Sequence, residues 1–367
     1  MTDLLQPQLE GTDRTAAALN EIAAGAARRD EDAVPPFPHD AIGALQTAGL
    51  MAWGAGPGPA RPPAAQELAL VRSVARADGS VGRIYDGHLN AIERLAVQGS
   101  GELRDRELAA FATGELRGGV WGGDPAPGEG EPARVEPTCD GLVLRGVKTF
   151  CSGAGGLHRA LVLARAPDGG PPLSVWIDLT ATDRVAIDPA WYRSHGLRAS
   201  VSHRVVFDAA PVLAVLGGPG AIATQPWFAR DALRTAASWA GMADAAVAAA
   251  LHELSSRPAN GPLEAVAAGR IITAQRTISV WLQAAAQAMD GRSDELPAIA
   301  LHGRAAIADA CRTLLDEAAR ACGSRPFARG GQLDRARRDL EVFLLQHRLD
   351  PLLARAGQAE LDADAER

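Results

Sequence analysis

The sequence predicts an α+β fold in which a helical region, a β-rich middle region and a second helical region follow one another. Three observations support this order. Apolar residues recur with a helical period in residues 1–116, short apolar runs bounded by Gly and Pro fill residues 117–215, and long Ala-rich stretches occupy residues 216–367. A chain of 367 residues is long enough for two or three packed units. We therefore expect three domains with these boundaries.

The N-terminal region shows its clearest helix after the sequence Asp78-Gly79-Ser80. Apolar residues then keep a helical spacing, and either Asp78 or Ser80 is suited to cap the helix start. A Gly- and Pro-rich loop, residues 54–63, interrupts the region upstream of this helix.

The middle region predicts a compact β-sandwich or barrel, because its short apolar runs are regularly separated by turn residues. The predicted strands are Gly119-Val120-Trp121, Leu142 to Phe150 after an Asp140-Gly141 turn, Ala160 to Leu163, Leu173 to Ile177 and His203 to Phe207.

Composition and motifs exclude several classes of protein. The net charge of −7, with acids and bases interspersed, does not favour nucleic acid or an acidic membrane surface. The four cysteines form no CxxC pair, and no Rossmann, P-loop, HExxH or GxSxG pattern occurs, so we expect no metal site. No apolar run approaches the ~20 residues of a membrane span, and the N-terminus resembles no export signal. We therefore expect a cytoplasmic protein.

The most informative segment runs from Gly146 to Gly156. It begins as a strand and ends in small residues, where the backbone can approach a large flat group and a hydroxyl can bond to the edge of a ring. This segment, with Phe150 and Ser152, resembles the flavin-contacting segment of the acyl-CoA dehydrogenase superfamily.

Four further motifs follow in the order that this superfamily shows, and the resemblance covers residues 70–355. They are Asp78-Gly79-Ser80 with His88, Val120 to Pro125, His195 to Ser200 with the strand after it, and Arg338-Asp339. The resemblance implies an N-terminal helical domain, a middle β-domain and a C-terminal four-helix bundle, associated as a dimer or tetramer. FAD would lie between the β-domain and the bundle.

The resemblance also implies the cofactor-binding residues. On the β-domain they are Trp121, Gly122, Gly123, Phe150 and Ser152. Arg257 stands where the family places an arginine that reaches the cofactor diphosphate from a neighbouring subunit, and bidentate phosphate binding suits arginine. Gly323 occupies the place of a glycine near the adenosine half of the cofactor.

The catalytic carboxylate of the family is missing, which makes the chain an atypical member. The two positions where the resemblance places this base hold Gly330 and Leu233, neither of which can accept a proton. His347, eight residues after Asp339, shares a helical face with apolar residues and is the candidate catalytic residue. In flavin monooxygenases of this fold, a histidine in this region lies near the flavin.

Three hypotheses for function follow. The first is an FAD-dependent oxidoreductase of acyl-CoA dehydrogenase type, acting on an acyl thioester or another small molecule, with an electron-transfer flavoprotein as possible partner. The second is a two-component monooxygenase that receives reduced flavin from a flavin reductase. The third is a non-redox descendant that keeps the scaffold for binding or assembly.

Overall fold

The computed structural model describes residues 13–32, 34–56, 62–181, 183–328, 330–346 and 348–365. The N-terminal helices are α1 (Asp13–Glu31), α2 (His39–Thr47), α3 (Ala64–Ala77), α4 (Gly79–Gln98) and α5 (Gly101–Ala112). The strands are β1 (Gly118–Trp121), β2 (Arg134–Thr138), β3 (Gly141–Cys151), β4 (Arg159–Ala164), β5 (Leu173–Asp178), β6 (Val185–Asp188) and β7 (His203–Val215). The C-terminal helices are α6 (Trp227–Ser255), α7 (Pro262–Asp290), α8 (Leu296–Cys322), α9 (Arg325–Ala328), α10 (Gln332–Leu344) and α11 (Asp350–Ala365). The predicted order of helical, β and helical regions is confirmed.

Helix α4 is the central helix of the N-terminal region. Asp78 is its N-cap, because the carboxylate accepts a hydrogen bond of 3.2 Å from the backbone N–H of Val81. Almost every residue of α4 is buried, since the helix packs on α3, on α6 and on strand β1. This helix therefore joins the β-domain to the C-terminal helices.

The strands form one continuous path in the order β1-β4-β5-β7-β3-β2, and β6 pairs with β7 beside this path. The long strand β7 belongs to both halves of the β-domain. Its first part pairs antiparallel with β3 and β6, whereas its last residues pair with β5. Strands β2 and β6 were absent from the sequence prediction.

The C-terminal region is built on three long helices, of which α8 packs against both α6 and α7. Helix α6 also lies very close to α3. A Cβ atom placed on Gly241 of α6 would lie 2.2 Å from the carbonyl oxygen of Arg72, so this crossing requires glycine. None of the helices in the described ranges is both long and apolar enough to traverse a bilayer.

Candidate functional site

The end of strand β3 exposes an aromatic side chain in an unusual backbone conformation. Phe150 has a φ of +54° and is 59% exposed, although most large apolar side chains of the β-domain are buried. A positive φ is costly for a residue with a Cβ atom, and such strain is often found at functional sites. The ring of Trp191 meets Phe150 edge-on, with centroids 5.0 Å apart, and its indole N–H donates to Glu129.

Ser152 lies two residues further on and begins a chain of buried hydroxyl groups. Its Oγ lies 2.8 Å from the Oγ of Ser202, which lies 2.8 Å from the Oγ of Ser200. All three serines are buried. A hydroxyl offers one donor and two acceptor positions, so the bond to Ser202 leaves Ser152 able to bind a further partner. The chain fixes the orientation of the Ser152 hydroxyl.

The predicted residues Trp121, Gly122 and Gly123 lie beside this segment. Trp121 is buried, and its indole N–H donates to the carbonyl oxygen of Ser152 over 3.0 Å, so this side chain supports the segment from behind. A Cβ on Gly123 would lie 2.6 Å from the carbonyl oxygen of Thr149, so local packing alone requires a glycine there. Gly122 is exposed, and its carbonyl accepts a 3.3 Å hydrogen bond from the Lys148 ammonium.

Two buried groups, the Tyr192 hydroxyl and the Asp339 carboxyl group, lie near the serines. The hydroxyl of Tyr192 donates to the carbonyl oxygen of Leu197 over 3.2 Å. Burial raises the pKa of this tyrosine, whereas the nearby Ser200 side chain lowers it. The N–H of the same Leu197 donates to Asp339 over 2.6 Å. Burial raises the pKa of Asp339 to about 7, with the neighbouring Asp78 acting in the same direction. A carboxyl group with a pKa near neutrality therefore bonds to the same backbone segment as Tyr192.

The remaining two predicted cofactor ligands come together at the other end of the C-terminal region. The guanidinium of Arg257, just after α6, donates over 3.0 Å to the carbonyl oxygen of Cys322 at the end of α8. Gly323 follows with a φ of +73° and lines an open surface depression of about 370 Å³ together with Ser324 and Phe327. The structure thus divides the predicted cofactor residues into a group on the β-domain and a pair at the ends of α6 and α8.

The candidate catalytic residue His347 lies outside the described residues, so its role stays a prediction. The two positions of the missing base are both described. Leu233 is buried in the core, whereas Gly330 is exposed with a φ of +64°. Their acidic neighbours are engaged elsewhere, since Asp231 pairs with Arg94 and Asp334 pairs with Arg338.

His88, which belongs to one of the resembling motifs, is held inside the fold. Its Nδ1 accepts a hydrogen bond from the N–H of Gly118, and its Nε2 lies 2.7 Å from the carbonyl oxygen of Met51. Burial lowers the pKa of His88 to about 4, so the ring is neutral at physiological pH. These contacts give His88 a structural role between α4 and β1. Within the described ranges, no three His, Cys, Asp or Glu side chains are arranged to hold a metal ion.

A sequence likeness to a known protein covers about a third of this chain. No family model matches the sequence. The chain is 30% identical over 129 residues to a dibenzothiophene monooxygenase of Rhodococcus erythropolis, a match that covers 33% of this chain and 30% of that protein. The match therefore spans less than a third of the relative's length.

Two solved structures extend the likeness to nearly the full length of the chain. Dibenzothiophene monooxygenase TdsC from Paenibacillus sp. A11-2, in complex with FMN and indole, has a TM-score of 0.80 at 20% identity and covers 96% of both chains. Methanesulfinate monooxygenase MsuC from Pseudomonas fluorescens has a TM-score of 0.79 at 20% identity, covering 99% of this chain and 98% of that one. The acyl-CoA dehydrogenase-like fold predicted from the sequence is confirmed.

Several residues of the site were not singled out from the sequence. Ser200 and Asp339 stood within quoted motifs, but no role was predicted for either. Ser202 and Tyr192 carried no signal of their own, because the hydroxyl chain joins residues 50 positions apart. Trp191 likewise becomes relevant only through its contact with Phe150.

Proposed function

We propose that this protein is a flavin-dependent monooxygenase that uses reduced FMN to transfer one oxygen atom to a small organosulfur compound. The observation that carries this proposal is the agreement of two independent comparisons. A local sequence match and a full-length structural match both lead to dibenzothiophene monooxygenases, and the structural match is to a complex with FMN. The similar fold of a methanesulfinate monooxygenase supports organosulfur compounds as the substrate class.

This proposal reverses the order of the hypotheses drawn from the sequence. Acyl-CoA dehydrogenation stood first there, with FAD as cofactor. It requires a carboxylate that removes a proton from the substrate, and the two positions of that base hold a buried leucine and an exposed glycine. A monooxygenase has no need of this base, and the cofactor in the TdsC complex is FMN.

The residues at the end of β3 are suited to a flavin. The exposed ring of Phe150 offers an apolar surface to a flat tricyclic group, and the remaining bonding capacity of Ser152 suits the polar edge of such a ring. Arg257, which bonds to the carbonyl oxygen of Cys322 beside the surface depression at Gly323, would supply charge for a phosphate group of a bound cofactor.

Reduced FMN, when bound, would supply the two electrons and two protons with which dioxygen yields one oxygen atom for the substrate and one molecule of water. The residues of the chain would orient the flavin and limit the access of water to it. Ser202 holds the Ser152 hydroxyl in place, so that little reorganisation is needed when a ligand binds. Phe150 and Trp191 cover one side of the site with apolar surface. Asp339, which accepts the N–H of Leu197, holds or releases a proton close to neutral pH.

The experiment that tests this function compares two activities of the same preparation. In the first assay, the protein receives FMN, a flavin reductase, NADH and either dibenzothiophene or a smaller thioether in air, and sulfoxide formation is measured by chromatography. In the second, acyl-CoAs of several chain lengths are offered with an artificial electron acceptor. We expect oxygenation of dibenzothiophene or of a smaller thioether, and little or no acyl-CoA oxidation. Acyl-CoA turnover near the usual enzyme rate of about 10 per second would instead restore the dehydrogenase hypothesis.

A protein that binds flavin in neither redox state would support the third hypothesis, a non-redox descendant. We also propose a homo-oligomer, because the resemblance brings Arg257 to the cofactor of a neighbouring subunit. Helix α7 carries exposed apolar side chains that suit such an interface, namely Leu263, Val266, Ile272 and Val280.

A further inference from the structure

Helices α6 and α8 enclose a buried arginine whose hydrogen-bonding groups are largely unused. Arg304 of α8 is 6% exposed, yet its Nε and Nη2 have no hydrogen-bond partner among the described residues. Its guanidinium carbon lies 5.3 Å from the ring centre of Trp239, on α6. The indole N–H of Trp239, which is fully buried, also lacks a described partner.

This arrangement is costly for the folded protein. Each buried polar group without a partner destabilises the folded state, and a buried charge without a counter-ion destabilises it more. Burial lowers the pKa of Arg304 to about 10, so the side chain stays charged at neutral pH. Contact with an aromatic ring offsets part of this cost, but it uses the face of the guanidinium and leaves the N–H groups free. Arginines buried for structural reasons in this chain are paired, as Arg234 is with Glu67 and Glu93.

The two unused nitrogens of Arg304 define the chemistry of a complementary ligand. Nε and Nη2 lie on one edge of the planar guanidinium and donate in parallel, which matches two oxygens of a carboxylate or a related oxyanion. The indole of Trp239 adds a further donor and no acceptor. We propose that Arg304 and Trp239 form a binding site for a small organic oxyanion, such as a carboxylate, sulfinate or sulfonate, inside the C-terminal region.

The surroundings of this site connect it to the rest of the interior. Trp239 meets Phe343 of α10 edge-on, with ring centroids 6.2 Å apart. Phe343 lies one helical turn after Asp339, whose carboxylate binds the N–H of Leu197. The oxyanion would therefore bind on the side of α6 that faces α10 and the buried carboxyl group of Asp339.

The test measures binding rather than turnover, so its outcome is independent of the proposed monooxygenase activity. Isothermal titration calorimetry and thermal unfolding would be recorded with methanesulfinate, methanesulfonate and acetate at constant ionic strength. The neutral compound dimethyl sulfone serves as the control ligand. Three variants are compared with the unmodified chain. Arg304→Met removes the charge and keeps most of the volume, Arg304→Lys keeps the charge without the paired edge, and Trp239→Phe keeps the ring without the N–H.

We expect saturable binding of at least one oxyanion, no binding of dimethyl sulfone, and an affinity at least about tenfold weaker in Arg304→Met and Arg304→Lys. Without ligand, Arg304→Met should unfold at the same temperature as the unmodified chain or higher, because it removes an unpaired buried charge. The proposal is overturned if no oxyanion binds to the unmodified chain, or if the Arg304 variants bind it equally well. It is also overturned if Arg304→Met loses thermal stability while the affinity of Arg304→Lys is unchanged, since the arginine would then be structural.

Discussion

Ser152 directly follows β3 and is held by three contacts: with the Ser202 hydroxyl, with the indole of Trp121 on its carbonyl oxygen, and with the carbonyl oxygen of Phe150, which accepts its N–H over 2.9 Å. These contacts leave little freedom for a larger side chain. A ligand that approaches the exposed Phe150 would meet a hydroxyl whose direction is already fixed. The importance of this single position can be tested directly.

Replacing Ser152 by Leu should abolish FMN binding, because the larger side chain occupies buried space and breaks the contact with Ser202. Ser152→Ala should weaken binding by only about 1 kcal/mol, the usual value of one neutral hydrogen bond. The measurement is quenching of FMN fluorescence during titration with protein. Ser174→Ala is the matched control, since Ser174 is also a buried serine of the β-domain, and its affinity should be unchanged. Normal FMN affinity in Ser152→Leu would show that the flavin segment is placed wrongly.

The buried carboxyl group of Asp339 should make stability depend on pH. Burial raises its pKa from 3.8 to about 7 in the folded protein; Asp78 and Asp30 raise it as well, whereas the Leu197 N–H and Arg338 lower it. Between about pH 4 and pH 7, the unfolded chain has lost this proton while the folded chain retains it. Asp339 therefore contributes full stability below about pH 4, and the contribution is lost as the pH rises towards 7.

The variant Asp339→Asn cannot titrate and keeps an oxygen that can accept the Leu197 N–H. Its free energy of unfolding is measured with urea from pH 4 to pH 8. This free energy should increase relative to that of the unmodified chain as the pH rises, and the difference between the two should become constant above about pH 7. A difference that is constant over this range would mean that Asp339 has an ordinary pKa.

Residue-level roles were predicted from the sequence only where a motif was continuous. Phe150 and Ser152 were identified because they stand two residues apart in one resembling segment. Ser202, Tyr192 and Asp339 were not, because their relation to Ser152 depends on the fold bringing β3, the turn before β7 and α10 together. The unpaired donors of Arg304 are also invisible in the sequence, since a lone arginine in an Ala-rich helix is usually exposed.

At the scale of elements, a buried network of ion pairs joins α3, α4 and α6. Arg234 of α6 donates over 2.9 Å both to Glu67 of α3 and to Glu93 of α4, and Arg230 lies one turn away with the same two partners. All four side chains are buried. Removing one member of such a network leaves the opposite charges without full compensation.

We therefore expect Arg234→Met to lower the free energy of unfolding by about 3–5 kcal/mol. Arg312 is the matched control, because its i,i+3 pair with Asp309 is exposed on both sides, and Arg312→Met should change stability by less than about 0.5 kcal/mol. Urea denaturation of both variants gives the comparison. Equal small losses in the two variants would show that the buried network contributes little to the packing of these helices.

Among the elements, those with strong apolar patterns were predicted and those without them were not. The strands β3, β4 and β5 are Val- and Leu-rich and were identified from that composition. The strand β2, Arg134-Val135-Glu136-Pro137-Thr138, contains proline and charged residues because it lies at the edge of the sheet. The strand β6 has only four residues, Val185–Asp188, which is too short a run to show a strand pattern in the sequence. It pairs with β7 beside the main path of the sheet.

At the scale of the whole molecule, we predict self-association. The exposed apolar residues of α7 would be covered by a second copy, and Arg257 would then be available to that copy's cofactor. Light scattering coupled to size exclusion should give a mass that is a multiple of the 38.1 kDa chain. A double substitution on α7, Val266→Glu with Val280→Glu, should lower this mass. A monomer at micromolar concentration would contradict the prediction and remove the role proposed for Arg257.

The central claim is that the protein transfers oxygen from dioxygen to a substrate with electrons from reduced flavin. The most direct measurement uses oxygen-18-labelled dioxygen with chemically reduced FMN and dibenzothiophene or a smaller thioether. Mass spectrometry of the product then reports the source of the added oxygen. The account predicts one labelled oxygen atom per product molecule, formed only when both protein and reduced flavin are present. Product without the label, or equal yields with and without the protein, would contradict it.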